Sequence, residues 1–574
     1  MPRLGALAPS DLADLAGACE RRRFGDRELV LRATSTRRCK LLAAGTVAVR
    51  VQRGGRRETV AELTPPAIFG ELSFITGRTC SAVERRGPIE VVTLTSDALA
   101  GLGSSREAVL RTLLGMVAGR LRDTMTGRPA LHRPRTVWLR ADERFRAPLA
   151  FAHELARGLR ACSPGETLVI ADGLQAGPEP RVTTVAGVHT VAMPDGADGL
   201  AARLAAWNAQ FRYTVVLERG EAAARAGRRN GADVIGDLLG GGAPLAPVDA
   251  DSHLMAADAG QASIDVLSGG RQLLFDAESA ERAIHGEGEM PRRFRRTAGS
   301  LARRVAAQQV GLAFGGGGAC CWAHIGLLSV LEQEGIPVDV VAGCSMGSFV
   351  GALVGAGKTV EELTAIAEYW RTRKWRMAEW RLWRMHLMSE RGIRRALAGY
   401  FGERQLNSLE IPFWANAVDV VAGEEVVLDR GRISDTIRAS MALPGSSPAF
   451  ESGQRVLVDA AVMAPVPVGP VRAMGADFVI AMNVMPSMRA GLIARRQPLR
   501  YFDILFRALR ISGHEIGRNR AVGEADILLT PDLEQHSLLD FGRCHEIIRA
   551  GSEAAHRHRA QIAAGYQGMV ALRG

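Results

Sequence analysis

The sequence contains almost no lysine. Of its 72 basic residues only Lys40, Lys358 and Lys374 are lysine, so 72 − 3 = 69 are arginine. The formal net charge is +11, but so strong a skew towards arginine indicates codon composition rather than selection for phosphate contacts. We therefore expect no nucleic-acid partner.

Long apolar runs are also missing. No uninterrupted apolar stretch approaches the ~20 residues that a helix needs to cross a bilayer. The N-terminal stretch mixes Asp and Arg into every apolar patch, unlike a secretory signal. The eight cysteines are scattered over 574 residues, which favours free thiols over a disulfide framework. These absences predict a cytoplasmic chain.

The length predicts several domains, since one domain usually holds ~100 to 200 residues. With 47% hydrophobic and 23% charged residues, the composition is that of a globular protein. Changes of pattern along the chain predict a multidomain α/β protein with three parts: residues 1–127, 128–304 and 305–574.

The first part is rich in short strands. Residues 37–99 alternate apolar and polar positions around a Gly54-Gly55 turn, which predicts a small β-roll. A helix should follow, because apolar residues recur at helical spacing in residues 104–125. Between the later strands lies "IFGELSFITGRTCSAVERRG", where a Gly-Glu pair and an Arg can form a pocket for one ribose and one phosphate.

This segment resembles the phosphate-binding cassette of cyclic-nucleotide-binding domains. The resemblance implies that Glu binds the ribose hydroxyl and that an Arg four residues before a valine binds the cyclic phosphate. Gly70 and Glu71 match, but Thr79 stands four residues before Val83, and Arg78 is one place early. We expect a cyclic-nucleotide-binding-like fold over residues 1–127 that binds no cyclic nucleotide.

The middle part, residues 128–304, alternates apolar runs with helix-like stretches such as "APLAFAHELARGLRA". This alternation predicts a small α/β region without a catalytic constellation. A basic linker, "TGRPALHRPRT", should precede it, and a second basic linker over residues 291–304 should close it.

A glycine run opens the third part. In "VGLAFGGGGACCWAHIGLL" a short apolar strand meets Gly315, Gly316, Gly317 and Gly318, and a helix follows. Backbone N–H groups of such a turn stabilise negative charge, which could be a nucleotide phosphate, a pyrophosphate or a reaction oxyanion. A phosphate loop needs Gly-Lys-Ser/Thr where Ala319-Cys320-Cys321 stands, and both registers of a dinucleotide fingerprint end on cysteine. The oxyanion reading fits best.

A candidate nucleophile follows. In "IPVDVVAGCSMGSFVGALVGAG" a strand over residues 338–342 leads into the GxSxG pattern and then a small-residue helix. In this setting Gly343 and Gly347 allow a sharp turn that exposes the Ser345 hydroxyl. A serine needs a base. Asp459 ends the apolar strand 456–458, and α/β sheets bind ligands at the carboxyl ends of strands, so Asp459 is the candidate.

The segments "GGGGACCWAHIGLL", "GCSMGSFVGAL", "ASMALPGSSPAF" and "VDAAVMAPVPV" together resemble the patatin-like phospholipases, most closely the branch that includes neuropathy target esterase. The resemblance implies a three-layer α/β/α hydrolase fold over residues 305–574 and a Ser345–Asp459 dyad without histidine. It also implies an oxyanion hole from the four glycines, phospholipid or lysophospholipid substrates, and no cofactor or metal ion.

Three positions depart from the family pattern. Cys320 replaces an Arg or Lys, and Cys321 and Ala460 each replace a glycine that would allow positive φ. Both catalytic side chains remain, so we expect an enzyme. The alternative is a regulatory or scaffold protein whose patatin-like domain is weak or inactive.

Histidine offers a second mechanism. A Ser-His-Asp triad could use a histidine that follows Asp459 in the chain. The candidates are His514, His536, His545, His556 and His558. For His324 we expect a packed structural role, and metal binding by Cys320, Cys321 and His324 is not expected because adjacent cysteines point apart.

Residues 370–388 combine aromatic and basic side chains. Basic residues attract anionic headgroups, and indoles settle at the water–lipid boundary, so this stretch predicts peripheral contact with the inner face of a membrane. The alternative is a helix that packs on the hydrolase with a solvated basic face. The tryptophans are Trp370, Trp375, Trp380 and Trp383, and the neighbouring basic residues are Arg371, Arg373, Lys374, Arg376, Arg381 and Arg384.

Overall fold

The computed structural model describes residues 289–377, 390–486 and 501–573 without a break. Before residue 289 it describes the strands and helices given below and a few residues beside them. The chain divides into two compact units, residues 1–133 with 570–574 and residues 134–569. The predicted boundaries after residues 127 and 304 stay predictions.

Antiparallel strands make up most of the described part of the first unit. They form a four-stranded sheet of order β1-β7-β2-β5 and a three-stranded sheet of order β4-β3-β6. Arg53 pairs with Arg56, so residues 54 and 55 connect two strands as expected. The elements are β1 (Glu20–Phe24), β2 (Arg38–Ala44), β3 (Val47–Arg53), β4 (Arg56–Leu63), β5 (Ala67–Phe69), β6 (Ala82–Arg85), β7 (Ile89–Thr95) and α1 (Ser96–Ala100).

The strands predicted between residues 37 and 99 are thus confirmed. In β7 the side chains of Ile89, Val91 and Thr93 are buried at every second position, which accounts for the alternating sequence pattern, and Leu94 near the end of the strand is buried as well. Gly70, Glu71 and Arg78 lie outside the described residues, as does most of the predicted helix after residue 104.

A mainly parallel sheet opens the second unit. Its order is β10-β11-β9-β12-β8-β13-β14-β15, and only β10 and β11 pair antiparallel. The parallel pairing, with helix α2 between β8 and β9, fits the predicted α/β alternation. The elements are β8 (Thr136–Ala141), α2 (Pro148–Cys162), β9 (Thr167–Asp172), β10 (Arg181–Val185), β11 (Val188–Met193), β12 (Tyr213–Arg219), β13 (Val234–Gly240), β14 (Ser252–Ala257) and β15 (Arg271–Leu273).

The predicted second basic linker is instead a helix, α3 (Arg292–Val305). Phe294, Ala298, Leu301 and Val305 recur at helical spacing and are buried, while the arginines between them lie nearer the surface. Phe294 packs edge-on against Phe151 of α2, with ring centroids 5.5 Å apart. The apolar stripe therefore makes residues 291–304 part of the packed unit, and the linker prediction was wrong.

A second large sheet holds the glycine run and the GxSxG segment. Its order is β20-β21-β18-β17-β16-β22-β23, with β19 paired to β18. Strands β18, β17, β16, β22 and β23 pair with one another in parallel, whereas β21 and β19 run antiparallel to β18. The strands are β16 (Val310–Phe314), β17 (Val340–Gly343), β18 (Phe413–Asp419), β19 (Glu424–Leu428), β20 (Phe450–Ser452), β21 (Arg455–Asp459), β22 (Phe478–Met482) and β23 (Ile527–Leu529).

Helices pack around this sheet. Where α4 meets α11, Gly326 and Gly551 permit a close crossing, because a Cβ on Gly551 would lie 2.0 Å from the Ala323 carbonyl oxygen. The three-layer arrangement stays a prediction. The helices are α4 (Ala323–Gln333), α5 (Met346–Gly355), α6 (Val360–Met377), α7 (Glu390–Phe401), α8 (Ile433–Ser440), α9 (Val468–Ala473), α10 (Tyr501–Ala521), α11 (Cys544–Arg557) and α12 (Arg559–Arg573).

Candidate active site

Strands β16 and β17 bring the glycine run and the GxSxG segment to the same edge of the sheet. Phe314 pairs with Gly343, and the Cys344 amide donates a hydrogen bond of 3.0 Å to the Phe314 carbonyl oxygen. A Cβ placed on Gly316 would lie only 3.0 Å from the Ser345 Cβ. The glycine loop, residues 315–318, therefore lies directly beside Ser345.

Ser345 occupies a strained turn between β17 and α5. Its φ of 53° and ψ of −131° are rare for a residue with a side chain and cost of order 1–3 kcal/mol. The Ser345 amide donates to the Ser440 Oγ at 2.9 Å, which ties the turn to the end of α8. Ser345 is partly exposed, while the residues on both sides of it are buried.

Glycines flank this turn because no side chain fits there. A Cβ on Gly343 would lie 2.4 Å from the Gly347 carbonyl oxygen, and one on Gly347 would lie 2.6 Å from the Gly315 carbonyl oxygen. The two glycines of the pattern thus permit the close approach of β16, β17 and the start of α5 that the sequence predicted.

The four loop glycines differ in what their amides bind. The Gly315 amide donates to the Met482 carbonyl oxygen and the Gly316 amide to the Pro465 carbonyl oxygen, both at 3.0 Å. Within the described part of the chain nothing accepts a hydrogen bond from the Gly318 amide, and the Gly317 amide faces only the thiol sulfur of Cys321, a weak acceptor. The available donors are therefore the second pair of glycines.

Gly318 cannot be replaced without strain. Its φ is +55°, and a Cβ at this position would lie 2.2 Å from the Leu538 carbonyl oxygen. The next amide along, Ala319, donates to that same carbonyl oxygen at 2.8 Å. The chain around Leu538 thus fixes the end of the glycine loop from outside.

His324 and Cys321 hold the other end of the loop. His324 stacks on Phe314, and its Nε2 lies 3.0 Å from the Gly315 carbonyl oxygen, which the Cys321 thiol also contacts at 3.4 Å. Burial lowers the pKa of His324 to about 4, so the ring is neutral and Nε2–H is the donor. His324 is a packed histidine, as expected from the sequence.

The departures from the family pattern leave the backbone in ordinary conformations. Cys321 and Ala460 lie in short 3-10 helices, and neither has positive φ. Cys320 and Cys321 are fully buried, and burial raises the pKa of both thiols, that of Cys320 to about 12. These two positions therefore hold neutral thiols on a backbone that does not require glycine.

Asp459 lies near Ser345 for a different reason from the one predicted. Asp459 ends a strand, β21, as predicted, but β21 runs antiparallel to β18, so the rule that ligands bind at the carboxyl ends of parallel strands does not account for its position. In β18, Ala415 pairs with Gly343 and Ala417 pairs with Asp459. Asp459 therefore lies two residues beyond Gly343 along the sheet, level with the nucleophile turn.

The Asp459 carboxyl is fully buried. Burial raises its pKa to about 6, and hydrogen bonding from the Ser345 hydroxyl, the Ala461 amide and the Cys344 thiol lowers it. Oδ1 accepts the Ala461 amide at 2.9 Å, whereas Oδ2 makes no hydrogen bond of normal geometry with any residue that the structure describes. The Ser345 hydroxyl is thus close to the carboxyl without yet being well aligned on Oδ2, as is common in an unliganded site.

The histidines of the alternative triad have other contacts. His514 Nδ1 binds the Met485 carbonyl oxygen at 2.7 Å, His545 Nε2 binds Glu368 at 2.8 Å, and His558 Nδ1 binds the Ala554 carbonyl oxygen at 3.0 Å. Within the described ranges, Ser345 and Asp459 make no hydrogen bond to a histidine, His536 and His556 included.

One group in the described part of the chain could offer three ligands to a metal ion. Atoms of Glu368, Cys544 and His545 lie within 4.8 Å of one another. Arg371 also binds the Glu368 carboxylate, and hydrogen bonding from Arg371 is the main cause that lowers the pKa of Glu368 to about 2. Because an arginine already neutralises this carboxylate, the group is better suited to ion pairing than to a cation.

Trp370 packs inside the second unit. Its indole Nε1 donates to the Tyr400 hydroxyl at 2.8 Å, and its ring contacts Trp322, Phe349 and Phe541. The side chains of Trp375, Trp380 and Trp383 lie outside the described residues. Among described residues, no helix has the length and apolar character needed to cross a membrane.

Sequence reasoning assigned no role to two residues of this site. Ser440 lies within the quoted segment "ASMALPGSSPAF", but nothing in the pattern showed that its hydroxyl accepts from the Ser345 amide. Cys344, the first variable position of GxSxG, contacts Asp459 Oδ1 at 3.7 Å. Both contacts join segments about a hundred residues apart, which one sequence alone does not reveal.

Comparison with known families addresses the same residues. Residues 312–472 match the family described as patatin-like phospholipase, and this range holds the glycine loop, Ser345 and Asp459. The C-terminal region carries a patatin domain. The pattern-based resemblance is thereby confirmed.

Curated relatives of the patatin domain include proteins named lysophospholipase NTE1. The one from Saccharomyces cerevisiae is 27% identical over 286 residues, 44% of this chain and 16% of the relative. The one from Cryptococcus neoformans var. neoformans is 34% identical over 192 residues, 32% of this chain and 12% of the relative. The chain therefore spans less than a fifth of the length of either protein.

Solved structures similar to this chain include a catabolite activator protein and a cyclic nucleotide-binding domain. The Thermus thermophilus catabolite activator protein is 21% identical, with a TM-score of 0.21, covering 28% of this chain and 69% of that one. A cyclic nucleotide-binding domain from Methylobacillus flagellatus is 23% identical, with a TM-score of 0.20, covering 21% and 70%. Because these scores are low, the fold of residues 1–127 beyond its strands stays a proposal.

Proposed function

We propose that the patatin domain hydrolyses acyl ester bonds of phospholipids or lysophospholipids through a Ser345–Asp459 dyad. One observation carries this proposal: a partly exposed serine in a strained turn lies beside a fully buried carboxylate whose Oδ2 has no other partner of normal geometry among the described residues. A buried carboxylate with a raised pKa is a stronger base than an exposed one.

The chemistry follows from this arrangement. The Ser345 Oγ attacks the ester carbonyl carbon while its proton passes to Asp459 Oδ2. The carbonyl oxygen becomes an oxyanion, which accepts hydrogen bonds from the Gly317 and Gly318 amides, a contribution of about 3 to 4 kcal/mol per donor in other hydrolases. The leaving alcohol takes the proton back from Asp459, and the acyl group stays on Ser345. Water, deprotonated by Asp459, then releases the fatty acid and restores the serine.

Two of the four glycines, Gly317 and Gly318, supply the amides that bind the oxyanion in this scheme. The Gly315 and Gly316 amides already have carbonyl partners, so their role is to shape the loop. The amides at the start of α5 add to the positive potential near Ser345, since the first N–H groups of a helix have no partner within the helix. No charged side chain is needed to bind the oxyanion.

The remaining parts of the proposal concern regulation and location. Residues 1–127 would act as a regulatory domain that does not bind cyclic nucleotide, given Thr79 at the expected arginine position. The chain would be cytoplasmic and would contact the inner face of a membrane through the basic, tryptophan-rich stretch after Trp370.

A fluorophosphonate ester probe tests the dyad. The purified full chain should be labelled, Ser345→Ala should not, and Asp459→Asn should be labelled at least about a hundredfold more slowly because the base is lost. Ser329→Ala, on α4 and bonded to Gln333, is the matched control and should be labelled normally. A wild-type chain that resists the probe would favour the scaffold alternative.

A further inference from the structure

The two oxygens of the Asp459 carboxylate lie in different surroundings. Oδ1 receives a hydrogen bond from the Ala461 amide at 2.9 Å and a contact from the Cys344 thiol at 3.7 Å. Oδ2 is buried and has no partner of normal geometry within the described ranges. The carboxylate is therefore held through one oxygen, and the other is left for the nucleophile.

We propose that Cys344 is a positioning residue for the reaction, whose thiol donates to Asp459 Oδ1 and so keeps Oδ2 turned towards the Ser345 hydroxyl. This proposal rests on the proposed dyad. It assigns the residue at the first variable position of the GxSxG pattern to orienting the Asp459 carboxylate. Cys344 is not itself a nucleophile or a base in this scheme.

The position of Cys344 supports this role. Its thiol is completely buried, and a Cβ on Gly316 would lie 3.1 Å from its Sγ, so the side chain is enclosed between the glycine loop and Asp459. Its amide is fixed to the Phe314 carbonyl oxygen at 3.0 Å. Because Cys344 directly precedes Ser345 in the strained turn, one backbone segment presents both side chains to one carboxyl.

The thiol must carry its proton in order to donate. Burial, with further contributions from the charges of Asp459, Cys321 and Glu425, raises the pKa of Cys344 well above its ordinary value. The Cys321 thiol is neutral for the same main reason. Besides Asp459 and the neutral Cys321 thiol, Glu425 is the acidic group close enough to affect Cys344, and no arginine or lysine of the described residues shifts the pKa of Asp459.

Loss of the thiol has a defined consequence. A hydrogen bond to the ionised carboxylate lowers its pKa, so its removal raises the pKa of Asp459 and reduces the fraction of base near neutral pH. It also frees the carboxylate to rotate about its Cβ–Cγ bond. The first effect moves the acid limb of the pH–rate profile, and the second lowers kcat on the plateau.

The experiment measures pH–rate profiles of the full chain with a lysophospholipid substrate. Cys344→Ala should move the acid limb up by about 0.5 pH unit and lower plateau kcat about threefold to tenfold, with KM little changed. Cys344→Ser keeps a hydrogen-bond donor, so its acid limb and its plateau kcat should both lie close to those of the wild type. The matched control is Cys544→Ala, because Cys544 is also buried and its thiol contacts a carboxylate oxygen of Glu368 at 3.8 Å. Its profile should equal that of the wild type.

The outcomes separate this proposal from the proposed function. An active wild type with an unchanged Cys344→Ala profile, or equal shifts in the Ala and Ser variants, would overturn the positioning role and leave the dyad standing. A wild type inactive towards both ester and probe would instead remove the proposed function. Infrared spectroscopy serves if Cys344→Ala does not fold: the wild type minus Asp459→Asn difference spectrum should show one shifted S–H stretch, and a spectrum without it would contradict the hydrogen bond.

Discussion

At the residue scale, Ser345 and Asp459 both carry conformational or electrostatic strain. Ser345 adopts positive φ with a full side chain, and Asp459 keeps a carboxyl wholly out of water. Each would be relieved by a residue that cannot perform the chemistry. Such local instability at a site is expected where function, rather than stability, selects the residue.

Asp459→Asn should therefore make the chain more stable and inactive. Burial raises the pKa of Asp459 from 3.8 to about 6 in the folded chain, so at pH 7.5 the ionised carboxyl disfavours folding by about 3 kcal/mol. The wild type regains this stability as pH falls through about 6 towards 4, because the folded state binds the proton more tightly. Urea unfolding should show a larger free energy of unfolding for Asp459→Asn than for the wild type at pH 7.5, and a smaller difference between the two at pH 4.5. An Asn variant less stable than the wild type at pH 7.5 would refute the sign.

Gly318→Ala should both destabilise the chain and slow hydrolysis. The added Cβ would meet the Leu538 carbonyl oxygen at positive φ, so we expect a loss of about 2 to 4 kcal/mol and a displaced Gly318 amide. Gly335→Ala is the matched control, since Gly335 also has positive φ, +64°, but has open space around its Cβ. It should lose only about 1 kcal/mol and keep normal kcat. Equal behaviour of the two variants in unfolding and rate measurements would show that the Leu538 contact is unimportant.

At the element scale, the sequence did not predict helix α3 or the direction of strand β21. In α3 the arginines concealed an apolar stripe of helical period, which a count at every third and fourth position would have found. The direction of β21 leaves no such trace, because antiparallel and parallel strands of this length read alike. The glycine loop and the nucleophile turn could be predicted, since glycine at close approaches is a local requirement. The assignment of individual amides depended on partners such as Met482 and Pro465, which are far away in the chain.

The Arg303–Asp339 pair joins α3 to the residue that precedes β17, and Asp339 also binds the first residue of β16. Asp339 is buried and accepts from Arg303 Nη2 at 2.7 Å and from the Val310 amide at 3.0 Å. Arg303→Ala leaves that carboxylate without its cation, so we expect the free energy of unfolding to fall by about 3 kcal/mol. Arg295→Ala, an exposed position of the same helix, should change it by less than about 0.5 kcal/mol. Equal urea midpoints for the two variants would contradict the role of the pair.

At the scale of the whole molecule, we expect a lipid hydrolase that binds its substrate at a membrane surface. The net charge of +11 and the basic stretch after Trp370 favour anionic surfaces. Trp370 itself is committed to packing against Trp322 and Phe349, so it is excluded from the lipid contact. The predicted membrane contact is therefore assigned to Trp375, Trp380 and Trp383 alone.

Replacing Trp375, Trp380 and Trp383 together by alanine should weaken binding to anionic vesicles at least about tenfold, because indoles stabilise contact at the water–lipid boundary. Vesicle co-sedimentation measures this, with neutral phosphatidylcholine vesicles as the comparison. Probe labelling at the wild-type rate would verify that the variant is folded. Vesicle binding unchanged by the three substitutions would remove the membrane proposal and favour the solvated basic face.

The central claim is that Ser345, with Asp459 as base, hydrolyses a lysophospholipid or phospholipid ester. Its most direct test is release of fatty acid from lysophosphatidylcholine by the purified full chain and by Ser345→Ala, measured from pH 5 to pH 8. We expect the wild type to release fatty acid at a rate that declines as pH falls through about 6, because Asp459 then becomes protonated. Ser345→Ala should release no fatty acid above background. Fatty acid release by Ser345→Ala at the wild-type rate would contradict it.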